Sequence, residues 1–157
     1  MKIGDHVFSM KGGIKALSKE RPRTGKGGHF FTPKRTREYE RAIKELAEVF
    51  VTEPPVDFPV ALTVLITHKV AKSWPLWKAN LAQANLISPN RGDLDNKVKA
   101  ISDALNGIVF LDDVQICWLK AEMRYGSKEL VEVHVTRAGY TEHEARRLNE
   151  NFSRGST

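Results

Sequence analysis

Three aspartates in the chain are candidate ligands for a divalent metal. Asp93 and Asp95 are separated by one residue, and Asp113 follows them in the chain. Hydrolysis of a phosphodiester near neutral pH needs a nucleophilic water and stabilisation of the negative charge that develops, and Mg²⁺ supplies both through hard oxygen ligands. Aspartates have a usual pKa of about 3.9 and are ionised at pH 7. The three residues therefore indicate magnesium-dependent phosphodiester chemistry.

The pair formed by Asp93 and Asp95 depends on the local backbone. On an extended segment, side chains two residues apart point the same way, whereas in a regular helix they diverge by more than half a turn. We therefore expect this pair where a loop enters a helix, with Gly92 allowing close approach of the backbone. We expect Asp112 and Asp113 at the start of a strand, where the third carboxylate comes from a neighbouring element.

Two further polar residues follow the aspartate pair. Lys99 lies four residues after Asp95, one turn along the same helix face, where a cation can bind the scissile phosphate or stabilise the leaving oxygen. Asn96 can position a carboxylate, a water or a backbone phosphate.

Each of these residues also has an ordinary structural explanation. An aspartate in the first helical turn is favoured by capping and by the helix dipole. Asp95 and Lys99 have the spacing of a surface ion pair, and Asp112-Asp113 is typical of a turn before a strand. The pattern lacks the Gly and Glu of an EF-hand, and the chain is too short for the nucleotide-binding fold of a sugar-nucleotide transferase.

Hydrophobic periodicity predicts the elements that position these residues. Apolar residues at helical spacing predict a helix over about 36–51 and a second one from about 93–95 to the Asn106-Gly107 stop. Alternation predicts strands over 6–10 and 58–68, from 112–113 to about 124, and over 130–135. Thr141 and Glu144 have the spacing of a capping box, which predicts a short final helix to about Asn149. The order β-α-β-α-β-β indicates a single α/β domain of the α+β type, a mixed sheet with helices packed against it.

Charge and composition restrict the partners and the compartment. Residues 1–37 hold ten Lys and Arg against two acidic residues, while the remainder holds 15 basic and 17 acidic residues. A basic arm on a nearly neutral body favours a polyanionic partner, of which nucleic acid is the commonest. The alternative is that the arm is a solvated tail that only increases solubility. The single Cys117 excludes an internal disulfide, and we expect it to be buried. With no apolar leader or membrane-length segment in the sequence, we expect a cytoplasmic, non-membrane protein.

The central motif resembles the RusA family of Holliday junction resolvases. The family pattern is D-L-D-N-x-x-K-A, then D-A-L, then D-D-x-Q. This chain has RGDLDNKVKA at 91–100, DAL at 103–105 and DDVQ at 112–115. Similar segments outside it are KERPR at 19–23, Thr-Pro at 32–33 and Lys-Ser-Trp at 72–74. The resemblance covers about residues 7–136, and the central motif is specific because several spacings agree at once.

The resemblance implies a function and a site. It implies a Mg²⁺-dependent crossover junction endodeoxyribonuclease, with Mn²⁺ able to replace Mg²⁺, that acts in bacterial or phage recombination and repair. Asp93, Asp95 and Asp113 would bind the metal, Lys99 would be the catalytic lysine, and Asn96 and Asp112 would support the site. It also implies a homodimer, since two active sites related by a twofold axis suit a four-way junction, and nicks with 5′-phosphate and 3′-hydroxyl ends. Some members have a run of arginines where this chain has Asn90-Arg91-Gly92, a difference that concerns junction affinity.

The remaining expectations concern the domain bounds, the aromatic residues, the histidines and the DNA contacts. We expect a nuclease domain over residues 1–137, with a basic loop or arm at 11–35, and a C-terminal tail over 138–157. Trp74 and Trp77 would stack on unpaired bases, or else pack on the core or a dimer interface. Trp118 is expected in the core, and the three residues His29, His68 and His134 are expected to be structural. The predicted DNA-phosphate contacts are Arg21, Arg23, Lys26, Lys34, Arg35 and Arg91.

Two alternatives to junction resolution remain open from the sequence. One keeps the chemistry but widens the substrates to forks, flaps and other branched DNA. The other is a junction-binding protein without catalysis, in which Asp93→Asn would leave function intact. For the nuclease, the same substitution abolishes cleavage and leaves DNA binding unchanged or tighter, because removal of a carboxylate lessens repulsion of phosphate.

Overall fold

The computed structural model describes residues 1–154 of the chain. The strands are β1 (His6–Gly12), β2 (Arg23–Thr24), β3 (Phe30–Phe31), β4 (Val60–Lys69), β5 (Ile116–Gly126) and β6 (Leu130–Arg137). The helices are α1 (Lys34–Phe50), α2 (Leu76–Gln83), α3 (Leu94–Leu105) and α4 (Glu142–Arg154), and a 3-10 turn spans Asp113–Gln115. None of the helices in these residues is long and apolar enough to cross a bilayer.

Four of the strands form one mixed sheet, in the order β1-β6-β4-β5. β6 is antiparallel to both β1 and β4, whereas β5 runs parallel to β4. A parallel neighbour requires a long crossover connection, and residues 70–115, which include α2 and α3, provide it. All three predicted metal ligands lie on this crossover.

The core lies where α1 and α3 pack with the sheet. Alternate residues of β4 are fully buried, as the predicted strand pattern requires. They meet buried apolar residues of both helices in one cluster. Because Val98, Ile101 and Leu105 turn α3 towards this core, Asp95 and Lys99 face outwards. The core therefore fixes the rotation of the helix that presents the candidate site.

The predicted α/β architecture is confirmed. Each predicted helix and strand is present with small changes at its ends, and α2 and the β2–β3 hairpin are additional elements. One boundary differs in a way that matters for the site: Asp113 begins a 3-10 turn, and the strand starts only at Ile116.

Residues 11–35, predicted as a basic loop or arm, are more structured than the sequence indicates. β1 continues to Gly12, and Ala16 is almost fully buried. Lys19 is ion-paired with Asp103 of α3, and Arg23–Thr24 pairs with β3. Glycine and lysine content suggested a loop, but one buried alanine and one long-range ion pair attach this segment to the body.

Cys117 and Trp118 are exposed, which contradicts their expected burial. β5 is an edge strand, and an irregularity in its pairing with β4 leaves Cys117 opposite no residue. Trp118 is 51% exposed. Alternation along a strand identifies its two faces, but it does not show whether another element covers either of them.

The predicted capping box begins α4. The backbone N–H of Thr141 donates to Glu144 Oε2 at 2.8 Å, and the Glu144 N–H donates to Thr141 Oγ1 at 3.3 Å. Arg137, which is buried, also donates to Glu144. These hydrogen bonds, the one from Arg137 above all, lower the pKa of Glu144 to about 2. The helix extends past the predicted end, and the domain boundary after residue 137 stays a prediction.

Candidate active site

Asp93 and Asp95 lie at the start of α3. Asp93 is the N-cap residue, with extended backbone angles (φ −73°, ψ 128°), and Gly92 before it has a left-handed φ of +80°. The Asp93 side chain makes no capping hydrogen bond. It instead accepts a hydrogen bond from Asn96 Nδ2 at 3.2 Å. Its exposed carboxylate is thus not used in stabilising the helix end, although capping was its simplest structural explanation.

Asp113 is held by the D-D-x-Q segment around it. The Asp112 carboxylate accepts the Val114 N–H at 3.0 Å, and the Gln115 side chain accepts the Asp112 N–H at 2.9 Å. The Gln115 amide also donates to the carbonyls of Val56 and Phe58, at 2.9 and 3.0 Å. Asp112 and Gln115 therefore fix the short turn that begins with Asp113 and tie it to the chain preceding β4.

Lys99 connects α3 to this turn. Its ammonium pairs with Asp113 Oδ2 and with Asp103 Oδ1, the latter at 2.9 Å. Hydrogen bonds to Asp103 and Asp113 raise the pKa of Lys99 above its usual value. Lys99 is therefore an ammonium ion at neutral pH, able to stabilise negative charge but not to act as a base. The alternative pairing with Asp95 is not formed.

Asp103 contacts Lys99 at this site, although no role was predicted for it from the sequence. Its second carboxylate oxygen pairs with Lys19, which also lies 3.6 Å from Glu40. The Lys19 N–H donates to the carbonyl of Asn96 at 3.2 Å. Asp103 thus holds Lys99 and fastens the basic segment to α3. The D-A-L match contained the signal, but spacing alone could not reveal a partner 84 residues away.

The three predicted ligands are not gathered around one point in this structure. Within residues 1–154, no three His, Cys, Asp or Glu side chains are close enough to hold a metal ion. Lys99 occupies one oxygen of Asp113, Oδ2. The carboxylates have the donor chemistry that Mg²⁺ prefers, and two of them are exposed at one helix end. Their convergence on a metal stays a prediction.

Two of the six predicted DNA contacts lie together. Arg35 and Arg91 line a cavity of about 380 Å³. The other four lie outside the lining of this cavity and are exposed. Two of these are paired with nearby carboxylates: Arg23 with Glu20 at 3.0 Å, and Lys34 with Glu38 at 3.6 Å. Whether any of the six contacts DNA stays a prediction.

The same cavity contains two buried residues that the sequence did not mark as functional. Lys97 is 3% exposed and His68 is 1% exposed. Burial lowers the pKa of Lys97, opposed by the charges of Glu129 and Asp93. Burial also lowers the pKa of His68, opposed by its hydrogen bond to Glu129. Lys97 falls at an unspecified position of the motif, so no pattern indicated it.

Trp74 and Trp77 lie in different environments. Trp74 packs edge-on against Tyr125, with ring centroids 5.2 Å apart, and Lys78 lies 4.0 Å from its ring centre. Trp77 is 66% exposed. Trp74 therefore has a packing role, whereas stacking of Trp77 on a base stays a prediction.

Exposed carboxylates beside an ammonium, on the crossover of an α/β fold, suit an enzyme that cleaves phosphodiesters. A family model described as "Endodeoxyribonuclease RusA" matches residues 14–136. The chain therefore belongs to the RusA family of endodeoxyribonucleases, and it is a nuclease of the hydrolase class. It is also similar to the uncharacterized protein YqaN of Bacillus subtilis (strain 168), with 29% identity over 110 residues, 68% of this chain and 78% of the relative.

Proposed function

We propose that this nuclease is a Mg²⁺-dependent, structure-selective endonuclease that resolves Holliday junctions by paired cleavage in DNA recombination and repair. The observation that supports this most is the arrangement of the family motif: two carboxylates at the start of α3, with Lys99 bridging to Asp113 in the neighbouring turn. Its place of action is the bacterial cytoplasm, with a phage or prophage origin of the gene included in the proposal.

Each residue of the motif has a role in this proposal. Asp93, Asp95 and Asp113 hold the metal, which when bound activates water and stabilises charge on the phosphate. Asn96 orients Asp93 through its hydrogen bond. Asp103 keeps the Lys99 ammonium near the site, where it would face the scissile phosphate. Lys99 then stabilises negative charge on a phosphate or leaving oxygen.

The homodimer in this proposal would form through β5. The outer edge of β5 pairs with no strand among residues 1–154, and Leu119 beside Trp118 is 52% exposed. Leu119 also lines an apolar groove of about 480 Å³ whose other wall includes Asp95 and Lys99. Exposed apolar edges are uncommon in stable monomers, and a partner at this edge would bring two active sites close to a twofold axis.

The sequence of β5 is complementary to itself in one antiparallel register. If a twofold axis passes Ala121, Lys120 of one subunit faces Glu122 of the other, and the reverse pair forms by symmetry. Leu119 then faces Met123. Cross-strand pairs of opposite charge and of apolar residues stabilise a sheet.

A charge exchange tests this interface. Lys120→Glu places four carboxylates around the axis and should convert the dimer to a monomer in light scattering, whereas Lys120→Glu combined with Glu122→Lys should restore the dimer. A wild-type monomer, or a dimer unaffected by Lys120→Glu, would contradict the proposed edge.

Cleavage of defined DNA substrates tests the function itself. The wild-type protein with Mg²⁺ should cut a mobile four-way junction in two strands of like polarity, and Asp113→Asn should bind the same junction without cutting it. Equal rates on flaps, forks and linear duplex would favour a broader branched-DNA nuclease. Junction binding without cleavage in Mg²⁺ or Mn²⁺ would favour a non-catalytic binding protein.

A further inference from the structure

The cavity of about 380 Å³ lies beside the candidate site and is strongly basic. Four cationic side chains line it, and they are Lys15, Arg35, Arg91 and Lys97. Glu20 is the carboxylate in the lining, and it is engaged with Arg23. An excess of positive charge in a concave site favours an anionic ligand.

The buried residues of the cavity have unfilled hydrogen-bonding capacity. The Lys97 ammonium donates to the carbonyl of Ala16 at 3.5 Å, the outer limit of a hydrogen bond. His68 Nδ1 lies 3.0 Å from Glu129, but among the described residues its buried Nε2 has no partner. A buried ammonium or imidazole without partners is costly. An anion in the cavity would satisfy Lys97, and it would satisfy Nε2 when that nitrogen carries a proton.

The cavity is continuous with the site along the chain. Arg91 lines the cavity, Gly92 follows, and Asp93 is the first predicted metal ligand. A Cβ on Gly92 would lie 2.8 Å from Ser18 Oγ and 3.5 Å from Lys97 Nζ, and the left-handed φ of Gly92 disfavours other residues. The glycine therefore brings the backbone close to Lys97 and makes cavity and carboxylates direct neighbours.

We propose that this cavity binds a backbone phosphate of the DNA strand, next to the phosphate that is cut. Lys97 contacts the phosphate from the cavity floor, and Arg35 and Arg91 contact it from the sides. His68 Nε2 adds a contact when it carries a proton. The contact positions the strand so that the neighbouring phosphodiester meets the carboxylates, since phosphate contacts set register and orientation on DNA. This inference rests on the proposed function and adds Lys97 to the DNA-binding residues.

Salt-dependent binding in the presence of a chelator tests the inference without requiring cleavage. Lys97→Met keeps the side-chain length and removes the ammonium. It should weaken binding of a four-way junction about tenfold or more and reduce the slope of log K against log salt by about 0.9, the loss of one phosphate contact. The matched control is Lys44→Met on the exposed face of α1, outside the cavity lining, which should change neither quantity appreciably.

Inorganic phosphate provides a second test. Phosphate should raise the melting temperature of the wild type and of Lys44→Met, and should do so much less for Lys97→Met. If Lys97→Met does not fold, Arg91→Gln, at the half-exposed rim, should give the same loss of slope.

Three results would overturn the inference. Equal salt slopes for Lys97→Met and Lys44→Met would exclude a phosphate contact in the cavity. Loss of protection by inorganic phosphate with unchanged junction binding would indicate a site for the free ion, not for DNA. If Lys97→Met is unfolded, the deciding result is an unchanged slope of log K against log salt for Arg91→Gln, which would overturn the inference. The nuclease proposal fails separately, when the wild type does not cut any branched DNA with Mg²⁺.

Discussion

At the residue scale, Lys99 has one role in the structure and a second in the proposed function. Its ammonium pairs with Asp113 and with Asp103. In the proposed function the same ammonium stabilises charge on a phosphate. An ammonium that competes with a metal for one carboxylate should influence both metal affinity and turnover, but in opposite directions.

Replacement of Lys99 tests this competition. Lys99→Met should lower the cleavage rate about 100-fold or more, as for loss of one group that stabilises developing charge. Affinity for Mn²⁺ should stay equal or increase, because Asp113 no longer has a competing cation. Single-turnover cleavage and calorimetric titration with Mn²⁺ would measure the two effects. A variant that loses metal binding as well as cleavage would show a structural role for Lys99.

The sequence marked candidate site residues, but it did not mark the residues that contact them. Asp93, Asp95 and Lys99 were marked by types and spacing that local periodicity could place at a helix start. Asp103 and Lys97 were not marked, because their roles depend on Lys19 and on a cavity formed with residues far away in the chain. Partners distant in sequence are set by tertiary packing, which a periodic pattern does not report.

At the scale of elements, the turn before β5 positions Asp113. Gln115 joins this turn to the carbonyls of Val56 and Phe58, while Asp112 closes it from the other side. The sequence placed these aspartates at the start of a strand, because a 3-10 turn of three residues is too short to leave a periodic signal.

Loss of this tether should affect turnover more than DNA binding. Gln115→Leu leaves two backbone carbonyls without their donor and should destabilise the protein by about 1–3 kcal/mol. Cleavage should fall with little change in junction affinity, because Asp113 loses its fixed position. Denaturant unfolding, cleavage and chelator-treated binding would be compared with Gln83→Leu, on the exposed part of α2. Unchanged cleavage in Gln115→Leu would show that the turn positions Asp113 without the tether.

The attachment of α4 should depend on pH. Arg137 and Thr141 lower the pKa of Glu144 to about 2 in the folded chain, below its usual value of 4.5. The contact therefore stabilises α4 above pH 4.5 and loses its effect as the pH falls towards 2. Amide protection factors in α4, which remove the intrinsic pH dependence of exchange, should fall over this range in the wild type, whereas in Glu144→Gln they should already be lower at pH 7. Identical exchange in the two proteins at pH 7 would contradict this role.

At the scale of the whole molecule, charge and fold act together. The sheet and its α1–α3 layer share one apolar core, and the crossover from β4 to β5 carries the candidate site on it. Lys19 attaches the basic N-terminal segment to α3 through Asp103. The other basic residues of the segment come before and after Lys19 in the sequence. Hydrophobic alternation and periodicity were sufficient to predict this architecture. They did not predict that β5 is exposed, because they do not show whether another element covers a strand.

The outer part of the basic segment should add affinity without adding chemistry. Arg21→Gln with Arg23→Gln should weaken junction binding and reduce the slope of log K against log salt by about 1–2, the loss of one or two phosphate contacts. The rate of cleavage at saturating enzyme should stay unchanged. Binding and single-turnover rates over a salt series would measure both, and an unchanged slope would show that these arginines do not contact DNA.

Metal binding tests the central claim most directly, that Asp93, Asp95 and Asp113 form one magnesium site. Calorimetric titration with Mn²⁺ should show binding to the wild type that weakens more than about tenfold in Asp93→Asn, Asp95→Asn and Asp113→Asn alike, a loss at least as large as that caused by altering a ligand's supporting partner. The exposed Asp57→Asn is the control and should bind as the wild type does. Mn²⁺ affinity that is unchanged in Asp113→Asn would contradict the claim, because the carboxylate across from α3 would then not be a ligand.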